Sequence, residues 1–282
     1  MNNYVTTNIN NGLIEKLKSL EDQSLINLKE KILSQSLAIR TKVLPEVLSV
    51  IDHVLPNFDS VQEYKTEIIK WLSPVIDLSD FHIYPTNGIT DGLNWWIGTT
   101  PYNITRADNE YQWVDNITTR LAPHTIYQSI PSAIDGNYKG IISYDSIALD
   151  LAYVGSARIK KIEISKNVNH VFFSLSKPFG VRNIRTGWYF TRTPDRKLEN
   201  LVYGAKYYNY YANAIAETII SNFDIDYVHR RLSIMQHDVC KKLEFNPSDT
   251  VWLATTGNIE YAKFRRDNNT ARICLSGVYE IC

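Results

Sequence analysis

Apolar residues recur at helical intervals towards both ends of the chain and in short continuous runs through its middle. Leu13, Leu17 and Leu20, then Leu25, Leu28 and Ile32, stand three or four positions apart, the spacing that aligns side chains on one helix face. Val43, Val47 and Ile51 repeat the pattern, with Pro45 placed where a helix starts and its missing N–H costs nothing. A third helix is predicted from about Val61 to Leu72, ended by Pro74. Phe81 to Tyr84 is a short apolar stretch, Pro85-Thr86-Asn87-Gly88 is rich in turn formers, and Thr90 to Ile97 opens another helix. The pattern then changes. Ile141 to Tyr144 and Ile147 to Leu149 around Asp145, Val171 to Ser174, and Gly187 to Phe190 read as strands. Helical spacing returns from about Asn213 to Leu243, and Ala271 to Leu275 reads as a last strand. Continuous apolar strands between helices predict an α/β fold whose sheet is covered on both faces.

The chain is long enough, at 282 residues, for one large domain or one large and one small. Its formal net charge is zero and no long basic stretch occurs, so a nucleic-acid partner is not expected. Residues Met1 to Gly12 are polar and lack the basic start and apolar run of a signal peptide. No apolar run is long enough to cross a bilayer, so a cytoplasmic protein with no membrane partner is the expectation. Cys240, Cys274 and Cys282 are too few for a disulfide framework. Sequons at Asn103, Asn116 and Asn268 would matter only on a secretory route. His237 and Cys240 have ligand-like spacing but no second pair, so no metal is expected. His82 and His170 read as structural, and Arg158-Ile159-Lys160-Lys161 as a solvated turn. Tyr203, Tyr207 and Tyr211 would line one face of a helix, packing in the core or forming a subunit interface or substrate wall.

The chemistry sits in three separated segments. Ser174-Leu175-Ser176-Lys177-Pro178-Phe179-Gly180 is followed by Arg185-Thr186-Gly187-Trp188, with a serine three residues before Lys177 and an arginine eight after it. A lysine that attacks an aldehyde must spend time unprotonated, which burial and nearby cations favour. A guanidinium offers a planar fork to phosphate oxygens. Upstream stands Asp150-Leu151-Ala152-Tyr153, and further upstream Thr86-Asn87-Gly88-Ile89-Thr90-Asp91-Gly92, a turn leading into a helix whose first N–H groups suit an anion.

Taken together these segments resemble the fold-type I pyridoxal-phosphate-dependent enzymes of the aspartate aminotransferase superfamily. The resemblance spans roughly Val61 to Trp188, with an outlying match at Arg272. It implies a three-layer α/β/α large domain with a mainly parallel sheet over residues 46–212. A small α+β domain would be built from 1–45 and 213–282. Pyridoxal 5′-phosphate is the implied cofactor, held as a Schiff base by Lys177. Asp150 would pair with its pyridine nitrogen and Tyr153 with its ring oxygen. Ser174, Arg185, Asn87 and the amides of Gly88 and Ile89 would hold its phosphate, with Thr90 a further side-chain candidate. Tyr111 would stack on the ring, with Trp113 as rival and core packing as the alternative. Arg272 would grip the substrate's α-carboxylate, or else be a solvent-facing strand residue. The implied reaction is transamination between an amino acid and a 2-oxo acid in a homodimer. A lyase, decarboxylase or cyclase step is the alternative, and a cofactor-binding protein without activity a third reading.

Two departures from the family pattern are visible. The family asparagine that also bonds the ring oxygen has no counterpart in Ser129-Ile130-Pro131-Ser132-Ala133-Ile134-Asp135-Gly136, where Ser132 is the substitute or nothing is. The helix that normally follows is missing, because Asp150 comes soon after.

Overall fold

The computed structural model describes residues 2–55, 61–99, 104–117, 125–267 and 269–279. Asn103, Asn268 and Cys282 lie outside them. A long helix, α1 (Asn2–Leu33), is followed by an irregular strap over 34–44, then α2 (Pro45–Ile51) and α3 (Val61–Leu72). Pro45 occupies the start of α2, as its missing N–H allows. Next come β1 (His82–Thr86), α4 (Ile89–Thr99), β2 (Ile104–Arg106), a 3-10 turn (Gln112–Ile117), β3 (Thr125–Ser129), β4 (Ser146–Asp150), β5 (Val168–Phe173) and β6 (Gly187–Thr191). A single turn, α5 (Arg196–Leu198), leads through a π-turn (Glu199–Gly204) to α6 (Tyr210–Asn222) and α7 (Tyr227–Leu243). The chain continues through β7 (Asn246–Pro247), β8 (Leu253–Thr256), a 3-10 turn (Ile259–Phe264) and β9 (Ala271–Cys274).

Six strands form one sheet in the order β1-β6-β5-β4-β3-β2. β2 to β5 run parallel, and β6 is antiparallel to both β5 and β1. Side chains alternate faces along each strand, and both faces are apolar. Ile83, Ile126, Ile147, Leu149, Val171, Phe173, Trp188 and Phe190 point into the larger core, which takes in residues of α2, α3, α6 and α7. Their neighbours Tyr84, Tyr127, Ala148, Phe172 and Tyr189 point the other way, against Leu93 and Trp96 of α4. Helices therefore cover both faces of a mainly parallel sheet, as the continuous apolar runs require. β7, β8 and β9 form a separate antiparallel sheet. It shares the larger core, which runs unbroken from Ile32 to Tyr279. At its edge the buried Gln236 of α7 donates from Nε2 to the carbonyls of Ser248, Thr250 and Leu253.

Two readings are corrected. Ile141 to Tyr144 is not a strand; only Ser146–Asp150 is. The Gln128 side chain reaches across instead, its Nε2 donating to the Gly140 carbonyl (2.8 Å) and its Oε1 accepting the Ile142 N–H (2.9 Å). These bonds tie the segment to β3 without a ladder, and the Ile142 side chain is exposed. The tyrosines do not share a helix either. Lys206 adopts a left-handed conformation (φ 53°), and Asn209 caps a new helix by accepting the Ala212 N–H. Tyr203 donates to the Ile83 carbonyl, while Tyr207 and Tyr211 are exposed.

Candidate active site

β5 delivers the lysine segment to the carboxyl end of the sheet. Ser174, the first residue beyond the strand, donates from Oγ to the Thr186 carbonyl (2.6 Å) and accepts the Ser176 N–H (3.0 Å). The tight loop is thereby tied to the approach to β6. Lys177 projects from this loop and donates from Nζ to the Ile39 carbonyl of the strap (2.7 Å). Burial, reinforced by the Arg272 guanidinium, pushes its amine down to about 8.

Asp150 ends β4. It is buried, with Oδ1 accepting the Ala152 N–H (2.7 Å) and Oδ2 accepting the Tyr127 hydroxyl. Burial raises its carboxyl to about 6, against the opposing pull of those two bonds and of Lys177. Tyr153, three residues on, is also buried.

Gly88 sits between β1 and α4 at φ +85°. A Cβ there would stand 2.8 Å from Nη2 of Arg185. One at Gly187 would meet the Gly88 Cα at 2.6 Å, so the two backbones touch where only glycine fits. Arg185 is itself left-handed, at φ 64°. The arginine thus lies against the turn that opens α4, whose first N–H groups have no partner within the helix.

Lys177, Asp150, Tyr153, Ser174, Arg185 and Arg272 line one cavity of about 560 Å³. Ile89, Thr90 and Tyr111 complete its other wall. The Tyr111 hydroxyl is 3.4 Å from Thr90 Oγ1. Trp113, the rival aromatic, is not among the lining residues; its indole donates to Asn94 (3.0 Å). Arg272 on β9 is buried and donates from Nη1 to the Ala133 carbonyl, while its Nε has no acceptor. Asn87 is not brought to this cavity. Its Nδ2 donates to Asp91 (3.2 Å), its Oδ1 accepts from Asn209 (3.3 Å), and it borders a separate pocket with Tyr208 and Asn213. Gly88 contributes contact with Arg185 rather than wall. Ser132 accepts the Ile134 N–H (3.2 Å) and lies outside the cavity lining, so it does not fill the asparagine's place.

Three groups of the site went unnoticed in the sequence. Tyr127 reaches Asp150 only because β3 and β4 pair in parallel register. Glu110 accepts both the N–H (3.0 Å) and the hydroxyl (2.5 Å) of Ser129, and burial pushes it up to about 7. Arg266 donates from Nη2 to the Leu37 carbonyl (2.8 Å) and lines the cavity beside Arg272. A cluster of Arg265, Arg266 and Arg272 within eight positions was the available signal for the last. Among the described residues no group of three His, Cys, Asp or Glu could hold a metal, and no helix is long and apolar enough to cross a membrane.

The chain has the fold of solved pyridoxal-phosphate-dependent aminotransferase-type structures, and the likeness covers most of its length. It is similar to the PLP-bound C-S lyase from Staphylococcus hominis (TM-score 0.63, 11% identity, 85% of this chain and 88% of that one). It is also similar to histidinol-phosphate aminotransferase from Sinorhizobium meliloti in complex with pyridoxal-5′-phosphate (TM-score 0.57, 14% identity, 82% of each chain). A third likeness is to L-threonine-O-3-phosphate decarboxylase from Porphyromonas gingivalis (TM-score 0.56, 15% identity, 85% of this chain and 95% of that one). No protein-family model matches the sequence, and no curated protein does.

Proposed function

We propose that the cavity binds pyridoxal 5′-phosphate, and that the protein uses it to transfer an amino group between an amino acid and a 2-oxo acid. The observation that carries this reading is the convergence of Lys177, Asp150 and Arg272 on one cavity. The residues present fit the cofactor. The turn at Gly88 leaves no room for a side chain beneath Arg185, and the Arg272 Nε is buried without an acceptor.

When bound, the cofactor supplies an aldehyde that captures amines and a ring that draws electrons from the bonds at the substrate's Cα. The chain's own groups do the rest. A lysine near 8 is unprotonated about a tenth of the time at pH 7, against a few parts in ten thousand at its ordinary value. Lys177 is therefore able to act as a nucleophile and to take or return a proton at the substrate's Cα. Asp150 is the group to hold a proton on the ring nitrogen, and Tyr127 orients its carboxyl. Tyr153 is assigned to the ring oxygen, and Tyr111 to one face of the ring. Arg185, Ser174 and the first amides of α4 are assigned to the phosphate. Arg272 fixes the α-carboxylate so that the bond to be broken is held in one orientation. A homodimer and a cytoplasmic location belong to the same proposal.

The test is spectroscopic. Purified protein with added pyridoxal 5′-phosphate should show a visible absorbance band that Lys177→Ala removes. The band should convert on adding an amino acid and return on adding a 2-oxo acid. A colourless protein, or a band untouched by Lys177→Ala, refutes cofactor binding at this lysine. Turnover of an amino acid without any oxo acid would instead assign a lyase or decarboxylase step.

A further inference from the structure

Downstream of β8 the chain folds back on itself within a few residues. Asp267 accepts the N–H groups of Asn269 (2.9 Å) and Thr270 (2.6 Å), and the Arg266 N–H bonds the Thr270 carbonyl (3.0 Å). An aspartate that caps its own turn in this way fixes a tight reversal. The reversal sets Arg265 and Arg266 beside Arg272 of β9, and all three line the cavity that holds Lys177. Arg265 is exposed, Arg266 half-buried and Arg272 buried.

The charges do not balance. Among the described residues none of these arginines forms an ion pair. The cavity's two acids are engaged elsewhere, Glu110 by Ser129 and Asp150 by Tyr127 and Ala152. Burial, and after it the charge of the nearby Arg272, disfavours the charged form of Arg266. Both keep a buried Nε without an acceptor. A guanidinium offers two parallel donors to one carboxylate or phosphate, so a single α-carboxylate on Arg272 leaves Arg266 uncompensated. Unmade bonds at buried polar groups are costly, and the arrangement is that of a site completed by a second anion.

We propose that the amino acid taken by this site carries a second acidic group, a side-chain carboxylate or phosphate ester, held by Arg266 with Arg265 while Arg272 holds the α-carboxylate. The inference rests on the reading of the cavity as an amino-acid site and adds the substrate's class to it.

Two measurements test it separately from that reading. In the first, protein without added cofactor is heated with succinate or with twice the concentration of acetate. Succinate should raise the melting temperature more, and Arg266→Gln should erase the difference while Arg266→Lys keeps part of it. In the second, the cofactor band is titrated with L-alanine, L-aspartate and O-phospho-L-serine. At least one of the two acidic amino acids should bind ten-fold or more tightly than alanine, the tighter of them naming the second group. Arg266→Gln should weaken that acid at least ten times more than it weakens alanine, with the band itself retained as proof of an intact pocket. Equal weakening of alanine and the acid would put both arginines on the α-carboxylate and overturn the proposal. So would equal effects of succinate and acetate. A succinate preference lost in Arg266→Gln, in a protein that never develops the band, supports the second-anion site and refutes the cofactor reading instead.

Discussion

Replacing Lys177 by methionine should make the protein more tolerant of neutral pH relative to the wild type, and the effect should fade as the solution becomes alkaline. The lysine titrates near its ordinary 10.5 in the unfolded chain and at about 8 in the folded one. Between those values the unfolded chain binds more protons, so wild-type stability rises with pH across that window. At pH 7 nearly the whole separation counts against the folded state, roughly 3 kcal/mol at about 1.4 kcal/mol per pH unit. At pH 9.5 only the interval up to 10.5 remains, roughly 1 kcal/mol. Methionine of similar length carries no charge and escapes both penalties, but it forfeits the bond to the Ile39 carbonyl. That loss, on the order of 1–3 kcal/mol, is made at both pH values because the neutral amine still donates. It largely cancels when the two pH values are compared. Urea unfolding of both proteins at pH 7 and pH 9.5 therefore gives the decisive number. The stability of Lys177→Met minus that of wild type should fall by about 2 kcal/mol between the two conditions. A difference that stays constant, or grows with pH, would show that the fold does not disfavour the charged form of this amine.

Other substitutions probe the frame around the site. Gly180→Ala puts a Cβ 2.3 Å from the Lys42 carbonyl oxygen at a φ of +75°; a loss of roughly 2–4 kcal/mol in urea unfolding is expected, with new protease cuts in residues 34–44. Tyr127→Phe removes the donor to Asp150 Oδ2, which should cost about 1–3 kcal/mol at pH 7 and less below the titration of Asp150, as chemical denaturation at the two pH values would show. Gln236→Leu removes the Nε2 shared by three carbonyls, of which Thr250 and Leu253 keep the Leu253 and Ser248 N–H groups, and should lower stability by roughly 1–3 kcal/mol in the same assay, without altering the cavity around Lys177.

The parts of this molecule that could be read in the sequence are those whose physics is local. Apolar runs gave β4, β5 and β6, and the glycine and proline punctuation gave the β1-turn-α4 unit. A lysine, a serine and an arginine at fixed spacings gave the loop that follows β5. Ile141 to Tyr144 has the apolar look of a strand, but the Gln128 side chain takes the Ile142 N–H and the Gly140 carbonyl in place of a neighbouring strand. β2 and β3 were overlooked, although β3 is buried along its whole length; its Thr-Ile-Tyr-Gln-Ser mixes polar residues that the tertiary structure satisfies. Tyr127, Glu110 and the strap's carbonyls escaped for a different reason. Their roles come from strand register and from the packing of residues far apart in the chain, which no periodicity encodes. Asn87 shows the opposite failure, a residue in a recognisable motif whose side chain is already committed to Asp91 and Asn209.

The oxygens that receive Lys177 and Arg266 belong to the backbone of Ile39 and Leu37, two positions apart on one strap. A main-chain oxygen survives every side-chain change, so evolution or mutagenesis at 37 and 39 cannot delete either bond directly. The stretch is moored just beyond, where Lys42 N–H bonds the Ser276 hydroxyl and the Gly180 backbone abuts Lys42. Any shift that frees the Lys177 amine by moving residue 39 also pulls on residue 37. A movement of the strap that loosens the Lys177 amine is in this way coupled to the hold on Arg266.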